Sequence, residues 1–252
     1  MTTQEKPFTI AQFSDCHLFS DKTATHFGAN VWQNLTQVLT DISLRKTIDC
    51  AVFTGDLTQD HSTISYQHFV EAVAKAKLTI PVYFVAGNHD DTAMMRKYLT
   101  APNFQTNHII NHDNWQVQLI ESKSETPSGL ISHEALAELA RRVDKNKYQL
   151  LMMHHHPINI GYYIDKHGLI NQDDFWQAIN KLNKGSMTIK AIACGHVHRA
   201  SQLSKNQVDI FTCPATSVQF GDTKEKMASL MPSYRLLSLH TNGTIASEII
   251  TP

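Results

Sequence analysis

The sequence has few charged residues and almost no net charge. Charged side chains make up 18% of the 252 residues, and 22 basic residues nearly balance 23 acidic ones for a formal net charge of -1. A protein that follows a nucleic-acid backbone needs a basic surface, so we expect no nucleic-acid partner. No apolar run is long enough to span a bilayer, and we therefore expect no membrane partner.

Cysteine is also scarce. The four cysteines form no Cys-x-x-Cys pair, and each borders or lies within an apolar run; they are Cys16, Cys50, Cys194 and Cys213. This pattern favours buried reduced thiols over disulfides or a zinc knuckle. The first residues, 1–7, lack the basic-then-apolar layout of a signal peptide. We predict a cytoplasmic protein.

Histidine, by contrast, is abundant, with 15 copies. Imidazole is the commonest metal ligand in proteins, so this excess indicates a metal site. The length suits one large domain, and the sequence contains no repeat, low-complexity tract or linker, which predicts a single domain over residues 1–252. Apolar runs alternate with amphipathic segments, which predicts an α/β fold with a largely parallel sheet.

Hydrophobic periodicity places the individual elements. Helices are predicted over residues 31–46, 62–77, 91–100, 132–146 and 173–184. Strands are predicted over residues 8–14, 49–54, 80–86, 108–110, 115–120, 148–153, 187–194, 209–213, 234–240 and 244–250. Residues 18–30, 121–130 and 161–169 are predicted loops, and 241–243 is a hairpin turn.

Polar residues follow five of the predicted strands. They are Asp15 and His17, Asp56, Asn88 and His89, His154, and His196 with His198. Each pair or single residue could be an ordinary turn. In a parallel βαβ order, however, all five strand ends lie along one edge of the core. Oxygen and nitrogen ligands without sulfur then predict two metal ions sharing one carboxylate, and favour Mn, Fe, Zn or Co over Ca or Mg.

Three consecutive histidines end the strand at residues 148–153. Alternation in an extended chain would send His154 and His156 to one side and His155 to the other. We predict that His154 is the ligand, because it is the first residue past the strand. The roles of the other two, as supporting or structural residues, stay open.

The motifs Asp-x-His, Gly-Asp, Gly-Asn-His-Asp, His and Gly-His-x-His occur in an order and spacing that resemble the calcineurin-like metallophosphoesterases. Further segments resemble the bacterial class III 3',5'-cyclic AMP phosphodiesterases within that superfamily: residues 55–60, 66–69, 154–157, 165–167, 217–220 and 239–243. This resemblance implies a four-layer α-β-β-α sandwich with two mixed sheets, which differs from the single parallel sheet predicted by periodicity.

The resemblance also implies roles for the site residues. One metal would be held by Asp15, His17, Asp56 and His198, and the other by Asp56, Asn88, His154 and His196. A metal-bound hydroxide would attack phosphorus in line, with Asp56 bridging the metals and His89 protonating the leaving 3'-oxygen, to convert 3',5'-cyclic AMP to 5'-AMP. The implied substrate-binding residues are His17, Asp56, Asn88, His89, His154 and His198.

Alternatives stay open at this point. A relative of broader specificity, acting on other phosphodiesters or nucleotides, would use the same ligands. A scaffold that had lost catalysis is disfavoured, because every ligand and His89 are present. The oligomeric state is expected to be a monomer or a homodimer. Cys16, between Asp15 and His17, could add metal affinity or simply fill space.

Overall fold

The computed structural model describes residues 6–186, 188–223 and 227–252. Its helices are α1 (Val31–Leu44), α2 (Thr63–Lys75), α3 (Thr92–Tyr98), α4 (His133–Arg142) and α5 (Gln172–Leu182), with a 3-10 helix at Tyr163–His167. Its strands are β1 (Phe8–Phe13), β2 (Thr25–His26), β3 (Ala29–Asn30), β4 (Cys50–Phe53), β5 (Val82–Phe84), β6 (Phe104–Gln105), β7 (Ile109–His112), β8 (Trp115–Ile120), β9 (Tyr148–Met153), β10 (Ile189–Cys194), β11 (Ser201–Lys205), β12 (Val208–Thr212), β13 (Gln219–Phe220), β14 (Met227–Ser229), β15 (Tyr234–Leu239) and β16 (Ile245–Ile250).

Two six-stranded mixed sheets form the centre of the fold. The first has the order β16-β15-β1-β4-β5-β6, in which β1, β4, β5 and β6 are parallel, β15 is antiparallel to β1, and β16 is antiparallel to β15. The second has the order β11-β12-β10-β9-β8-β7, with parallel pairing from β12 to β8 and an antiparallel strand at each edge. The single parallel sheet is wrong, because short connections fold the edge strands back as hairpins. The two mixed sheets expected from the resemblance are confirmed.

The layers follow from three apolar clusters. Leu35 of α1 and Phe69 of α2 pack with Phe53 on the outer face of the first sheet. Between the sheets, Val52 and Met152 belong to a second cluster. A third cluster joins α4 and α5 to the outer face of the second sheet. The order helix, sheet, sheet, helix is therefore the predicted four-layer sandwich.

The helices begin where the sequence supplies a cap. Asn30, Ser62 and Ser132 each accept a hydrogen bond from a backbone N–H of the first turn of α1, α2 and α4, respectively. The predicted helices are correct in kind but extend one to four residues beyond some observed ends. The predicted strand 187–194 begins at Ile189, and Met187 lies outside the described residues.

The segment 18–30 differs from its prediction as a plain loop. It ends in a small hairpin, in which β2 pairs antiparallel with β3 across Phe27 and Gly28. Both of these residues have a positive φ, +47° for Phe27 and +88° for Gly28. Two residues with positive φ make the tight turn whose twist matches that of the flanking strands.

None of the helices in the described part of the chain is both long and apolar enough to cross a bilayer.

Candidate metal centre

Backbone hydrogen bonds connect the loops after β1 and β4. The amide of Asp15 donates to the Gly55 carbonyl at 2.8 Å, and that of His17 donates to the Asp56 carbonyl at 3.1 Å. Five candidate ligands have left-handed backbone conformations, with φ between +49° and +69°; they are Asp15, His17, Asp56, His196 and His198. Such conformations are uncommon for residues with a Cβ and concentrate at functional sites. The sequence alone gives no sign of them.

Two glycines allow the loops after β4 and β5 to approach each other closely. A Cβ on Gly87 would lie 2.2 Å from Asp56 Oδ1, and one on Gly55 would lie 2.4 Å from the Gly87 nitrogen. Gly55 also has φ +96°, which favours glycine. These two positions therefore need glycine for Asp56 to stand where it does.

Asp90 fixes the same pair of loops. Its buried carboxylate accepts hydrogen bonds from the backbone N–H groups of Gly87, Asp56 and Leu57, each at 2.8 Å, and from that of Thr58 at 3.3 Å. Burial and the charge of Asp56 raise the pKa of Asp90 to about 7. The sequence analysis included Asp90 in the Gly-Asn-His-Asp motif but assigned it no role. Asp90 is a positioning residue that ties the Asp56 turn to the Asn88 turn.

Asp15, His17 and His198 form one group of converging side chains. His17 Nε2 lies 3.0 Å from His198 Nε2, which lies 3.4 Å from Asp15 Oδ1. His198 Nδ1 is 2.9 Å from the Val218 carbonyl. Because a carbonyl can only accept, Nδ1 carries the proton and Nε2 of the neutral ring presents a lone pair to the group.

His154, His196 and Asn88 form a second group. His154 Nδ1 donates to the Thr54 carbonyl at 2.7 Å, so the neutral ring presents the Nε2 lone pair. Nε2 lies 3.2 Å from His196 Nδ1 and 3.1 Å from Asn88 Oδ1. An imidazole oriented by a backbone carbonyl is the usual arrangement of a metal-bound histidine.

Asp56 lies between the two groups. Its Oδ2 is 3.4 Å from His154 Nε2 and 3.8 Å from His17 Nε2, while Oδ1 accepts the His89 backbone N–H at 2.8 Å. Burial raises the pKa of Asp56, but the neighbouring His154 and His17 hold it well below its usual value. One ionised carboxylate oxygen therefore faces imidazoles from both groups.

The donor set fits metal cations. Within the described residues, Asp15, His17 and His198 each offer a ligand atom within 4.8 Å of the others, and so do Asp15, Asp56 and His154. Two nitrogens about 2.1 Å from one cation, at right angles, are about 3.0 Å apart, which matches the nitrogen pairs in both groups. Lone pairs facing each other at this distance repel unless a proton or a cation lies between them.

Burial controls the charge of the histidines. It lowers the pKa of His17 and His196 well below the usual value, which favours the neutral form that binds metals. Burial also lowers the pKa of His154, but the Asp56 carboxylate outweighs it and raises the value to about 9. In the absence of a cation, His154 and Asp56 are therefore an ion pair.

His89 lies beside the two groups rather than in them. Its ring meets the His17 ring edge-on, with centroids 4.9 Å apart, and stacks on His61 at 5.7 Å. Its Nδ1 is buried and has no hydrogen-bond partner among the described residues. His89 also lines a cavity of about 260 Å³, together with His61, Asn88, Lys123, Ser124, Glu125, Thr126 and Pro127.

The two remaining histidines of the triplet support the centre. The two ring nitrogens of His155 lie 2.9 Å from Ser122 Oγ and 3.2 Å from the Pro127 carbonyl. A ring nitrogen of His155 also lies within 4.8 Å of one of His154 and one of His196. His156 Nε2 lies 3.2 Å from Asp165, which anchors the loop at 160–167. The predicted alternation is wrong, because β9 ends at Met153 and both rings lie close to His196, with centroids 4.8 and 5.6 Å away.

The structure decides the role of Cys16, which the sequence analysis left open, and adds His26, which the sequence analysis missed. Cys16 turns away from the metal groups into the apolar cluster on the first sheet, where its thiol donates to the Leu57 carbonyl. It fills space and is not a ligand. His26 stacks on His17 at 4.9 Å, and burial followed by the charge of His198 lowers its pKa to about 4. No motif marked His26, because its position depends on the β2–β3 hairpin.

Comparison with known proteins agrees with this geometry. Residues 8–200 match the calcineurin-like phosphoesterase family. The chain is 48% identical, over 97% of its length and 95% of the relative's, to a probable cyclic nucleotide phosphodiesterase of Colwellia psychrerythraea. It is 32% identical to the 3',5'-cyclic adenosine monophosphate phosphodiesterase CpdA of Escherichia coli K12, over 95% of this chain and 88% of the relative. The crystal structure of a dimetal phosphatase from Danio rerio shares the fold, with a TM-score of 0.65 at 12% identity, over 98% of this chain and 99% of the other.

Proposed function

Because the chain belongs to the calcineurin-like phosphoesterase family, we propose that it is a dinuclear metal phosphodiesterase that hydrolyses 3',5'-cyclic AMP to 5'-AMP. The observation that carries this proposal is the position of Asp56, whose one carboxylate oxygen faces His154 at 3.4 Å and His17 at 3.8 Å. A carboxylate between two imidazole groups suits a bridge between two cations. Relatives with named cyclic nucleotide activity cover nearly the whole chain and support the choice of substrate.

The proposed ligands divide into two sets that share this bridge. Asp15, His17, Asp56 and His198 hold one metal, and Asp56, Asn88, His154 and His196 hold the other. When bound, the two metals supply a water nucleophile that is activated near neutral pH and positive charge for the phosphate oxygens. Imidazole and carboxylate donors without thiolate favour Fe, Mn, Zn or Co as the cations.

His89 is proposed as the general acid. A water that has lost one proton to solvent adds to phosphorus, the bond from phosphorus to the 3'-oxygen breaks, and that oxygen takes a proton from His89, which solvent then reprotonates. Burial lowers the pKa of His89, although the Asp56 charge opposes this. The negative charge of the substrate phosphate would favour the protonated ring further. The backbone N–H of His89 donates to Asp56 Oδ1, which keeps His89 next to the proposed bridging carboxylate and supports this role.

The remaining substrate contacts follow from the same residues. His17, Asp56, Asn88, His89, His154 and His198 surround the phosphate and are proposed to bind it together with the cations. We also propose that residues 1–252 form one domain, since β1 pairs with β15 from the far end of the chain. A cytoplasmic location and a monomeric or homodimeric state stay predictions.

Product analysis tests the proposal. The protein is loaded with Mn or Fe and given 3',5'-cyclic AMP, bis-p-nitrophenyl phosphate or a glycerophosphodiester, with a chelator-treated sample as the control. We expect 5'-AMP to form from cyclic AMP faster than either other diester is cleaved, and the chelator to abolish all three reactions. If only the generic diesters turn over, the assignment as a phosphodiesterase stands, but the substrate is a broader class of diesters rather than cyclic AMP. No turnover with any of the metals would refute the enzyme assignment.

A further inference from the structure

A closed circuit of five aromatic side chains borders the first metal group. His17 stacks on His26 at 4.9 Å, His26 meets Phe27 edge-on at 4.5 Å, and Phe27 meets Phe220 edge-on at 6.3 Å. Phe220 stacks on His198 at 4.0 Å and 3°, and His198 returns to His17 at 4.9 Å. Two of the rings are candidate ligands. The other three, His26, Phe27 and Phe220, are here called the aromatic rim.

Phe27 is unusual in both exposure and backbone conformation. Its side chain is 50% exposed, and its φ of +47° lies in the left-handed region. Turns of this kind favour Asn, Asp or Gly, and a bulky residue there costs conformational energy. It is the strained backbone beside the proposed metal centre, more than the exposure, that indicates a residue held for a ligand.

Resting on the proposed function, we propose that the aromatic rim is the surface on which the nucleobase stacks while the phosphate occupies the metal centre. The rim starts in direct contact with two proposed phosphate-side ligands, so a base joined to the phosphate through one sugar can reach it. The cavity bordered by His61 and His89 also has Lys123 and Glu125 in its wall, so its lining is more polar than the rim. Aromatic rings bind the flat face of a base, because stacking removes the two contacting surfaces, one of the ring and one of the base, from water.

The rim would select substrates by class. Every base has a flat face, so stacking distinguishes diesters with a base from those without one more strongly than it distinguishes one base from another. Purines cover more of the rim than pyrimidines. The metal ligands cannot make this distinction, because they contact only the phosphate.

Ligand binding to Phe27→Leu tests the rim without relying on turnover. Leucine keeps the Cβ, so the backbone strain at position 27 is matched, while the ring is lost. Equilibrium dialysis of the manganese-loaded protein measures Kd for 5'-AMP and for ribose 5-phosphate, which lacks the base. Base–aromatic stacking corresponds to roughly 5- to 150-fold in affinity, and for a half-exposed ring we expect about 5- to 10-fold weaker 5'-AMP binding. Ribose 5-phosphate binding should not change.

Two further variants serve as controls. Phe27→Tyr keeps the ring and should keep the affinity for 5'-AMP. Leu44→Ala removes an exposed apolar side chain at the far end of α1, about 20 Å along the helix from the hairpin, and should change neither Kd. A melting temperature for each variant verifies that it is folded.

Two results would overturn the inference. One is an unchanged Kd for both ligands in Phe27→Leu, and the other is an equal loss for both ligands, which would mean a structural role of the hairpin. Hydrolysis of cyclic AMP by the unaltered protein is measured in parallel. Its absence would refute the proposed function, whereas hydrolysis with an unchanged Kd ratio would refute the rim alone.

Discussion

The Asp90→Asn substitution tests whether one buried carboxylate organises the metal centre. Oδ2 of Asp90 accepts hydrogen bonds from the backbone N–H groups of Asp56 and Gly87. Oδ1 accepts hydrogen bonds from those of Leu57 and Thr58. An asparagine amide replaces one of these oxygens with NH₂, whichever way it is turned. Two buried backbone N–H groups then face another donor and lose their acceptor.

The magnitude follows from those two lost acceptors. A buried donor without a partner costs about 1–3 kcal/mol, so two cost about 2–6 kcal/mol. The neutral amide also removes the repulsion between Asp90 and Asp56, which offsets part of this cost, so we expect a net loss of about 3 kcal/mol in the free energy of unfolding. For a chain of this size each kcal/mol lowers Tm by about 2–4 °C, which gives a fall of about 6–12 °C. Because the two turns carry Asp56 and Asn88, affinity for Mn²⁺ should also fall by about 10- to 100-fold.

The assay is thermal unfolding of the chelator-treated protein, followed by a titration with Mn²⁺. It is best run at pH 8. Burial and the charge of Asp56 raise the pKa of Asp90 to about 7. The stability from its bound proton is present below the unfolded pKa and is lost as the pH rises to 7, so pH 8 shows the carboxylate alone.

The neighbouring residue supplies a matched control. Asp91 caps α3 by accepting the amides of Ala93 and Met94 at one oxygen, and asparagine is an equally good cap. Asp91→Asn should therefore change Tm by less than about 2 °C. If Asp90→Asn lowered Tm by no more than Asp91→Asn does, the role assigned to the four hydrogen bonds of Asp90 would be refuted.

Three further predictions follow from the centre. His89→Ala should keep both metals by elemental analysis and lower turnover by about 10²- to 10⁴-fold, whereas Asp56→Asn should lose metal and turnover together. Full activity of His89→Ala would refute the role of His89 as general acid. Gly87→Ala should lower the bound metal, since its Cβ would lie 2.2 Å from Asp56 Oδ1, and a metal content equal to that of the unaltered protein would contradict the close approach. The four cysteines are buried, and burial raises the pKa of their thiols, so a thiol reagent at pH 8 should titrate none in the native protein and four after unfolding.

Local signals predicted much of the fold. The helix at 31–44 was recognised from its apolar spacing, and the strand at 148–153 from its apolar run. Strand direction was harder to predict, because it depends on pairing across the whole chain. β15, for example, pairs antiparallel with β1 although the two are more than 200 residues apart. Resemblance to a family supplied this information, which periodicity lacks.

The sequence predicted which side chains would gather at the centre, but not what holds them there. Strand ends identified His154 and His198 as candidate ligands. The carbonyls that orient them come from Thr54 and Val218, and no local pattern links these residues to the histidines. Asp90 was overlooked for a related reason, since three of its four partners lie on another loop. Most of the supporting contacts are hydrogen bonds to backbone groups, and the path of the backbone through these loops cannot be predicted from local sequence patterns.

Five candidate ligands have a left-handed backbone conformation, which places them at the metal centre but lowers the thermal stability of the protein. Each such residue with a Cβ costs on the order of 1–3 kcal/mol relative to an unstrained backbone. Glycine at position 17 or 198 would relieve this strain and remove an imidazole in the same step. A library of variants selected only for resistance to heat would therefore be expected to lose the metal centre, and the substitutions would accumulate at the positions that bind it.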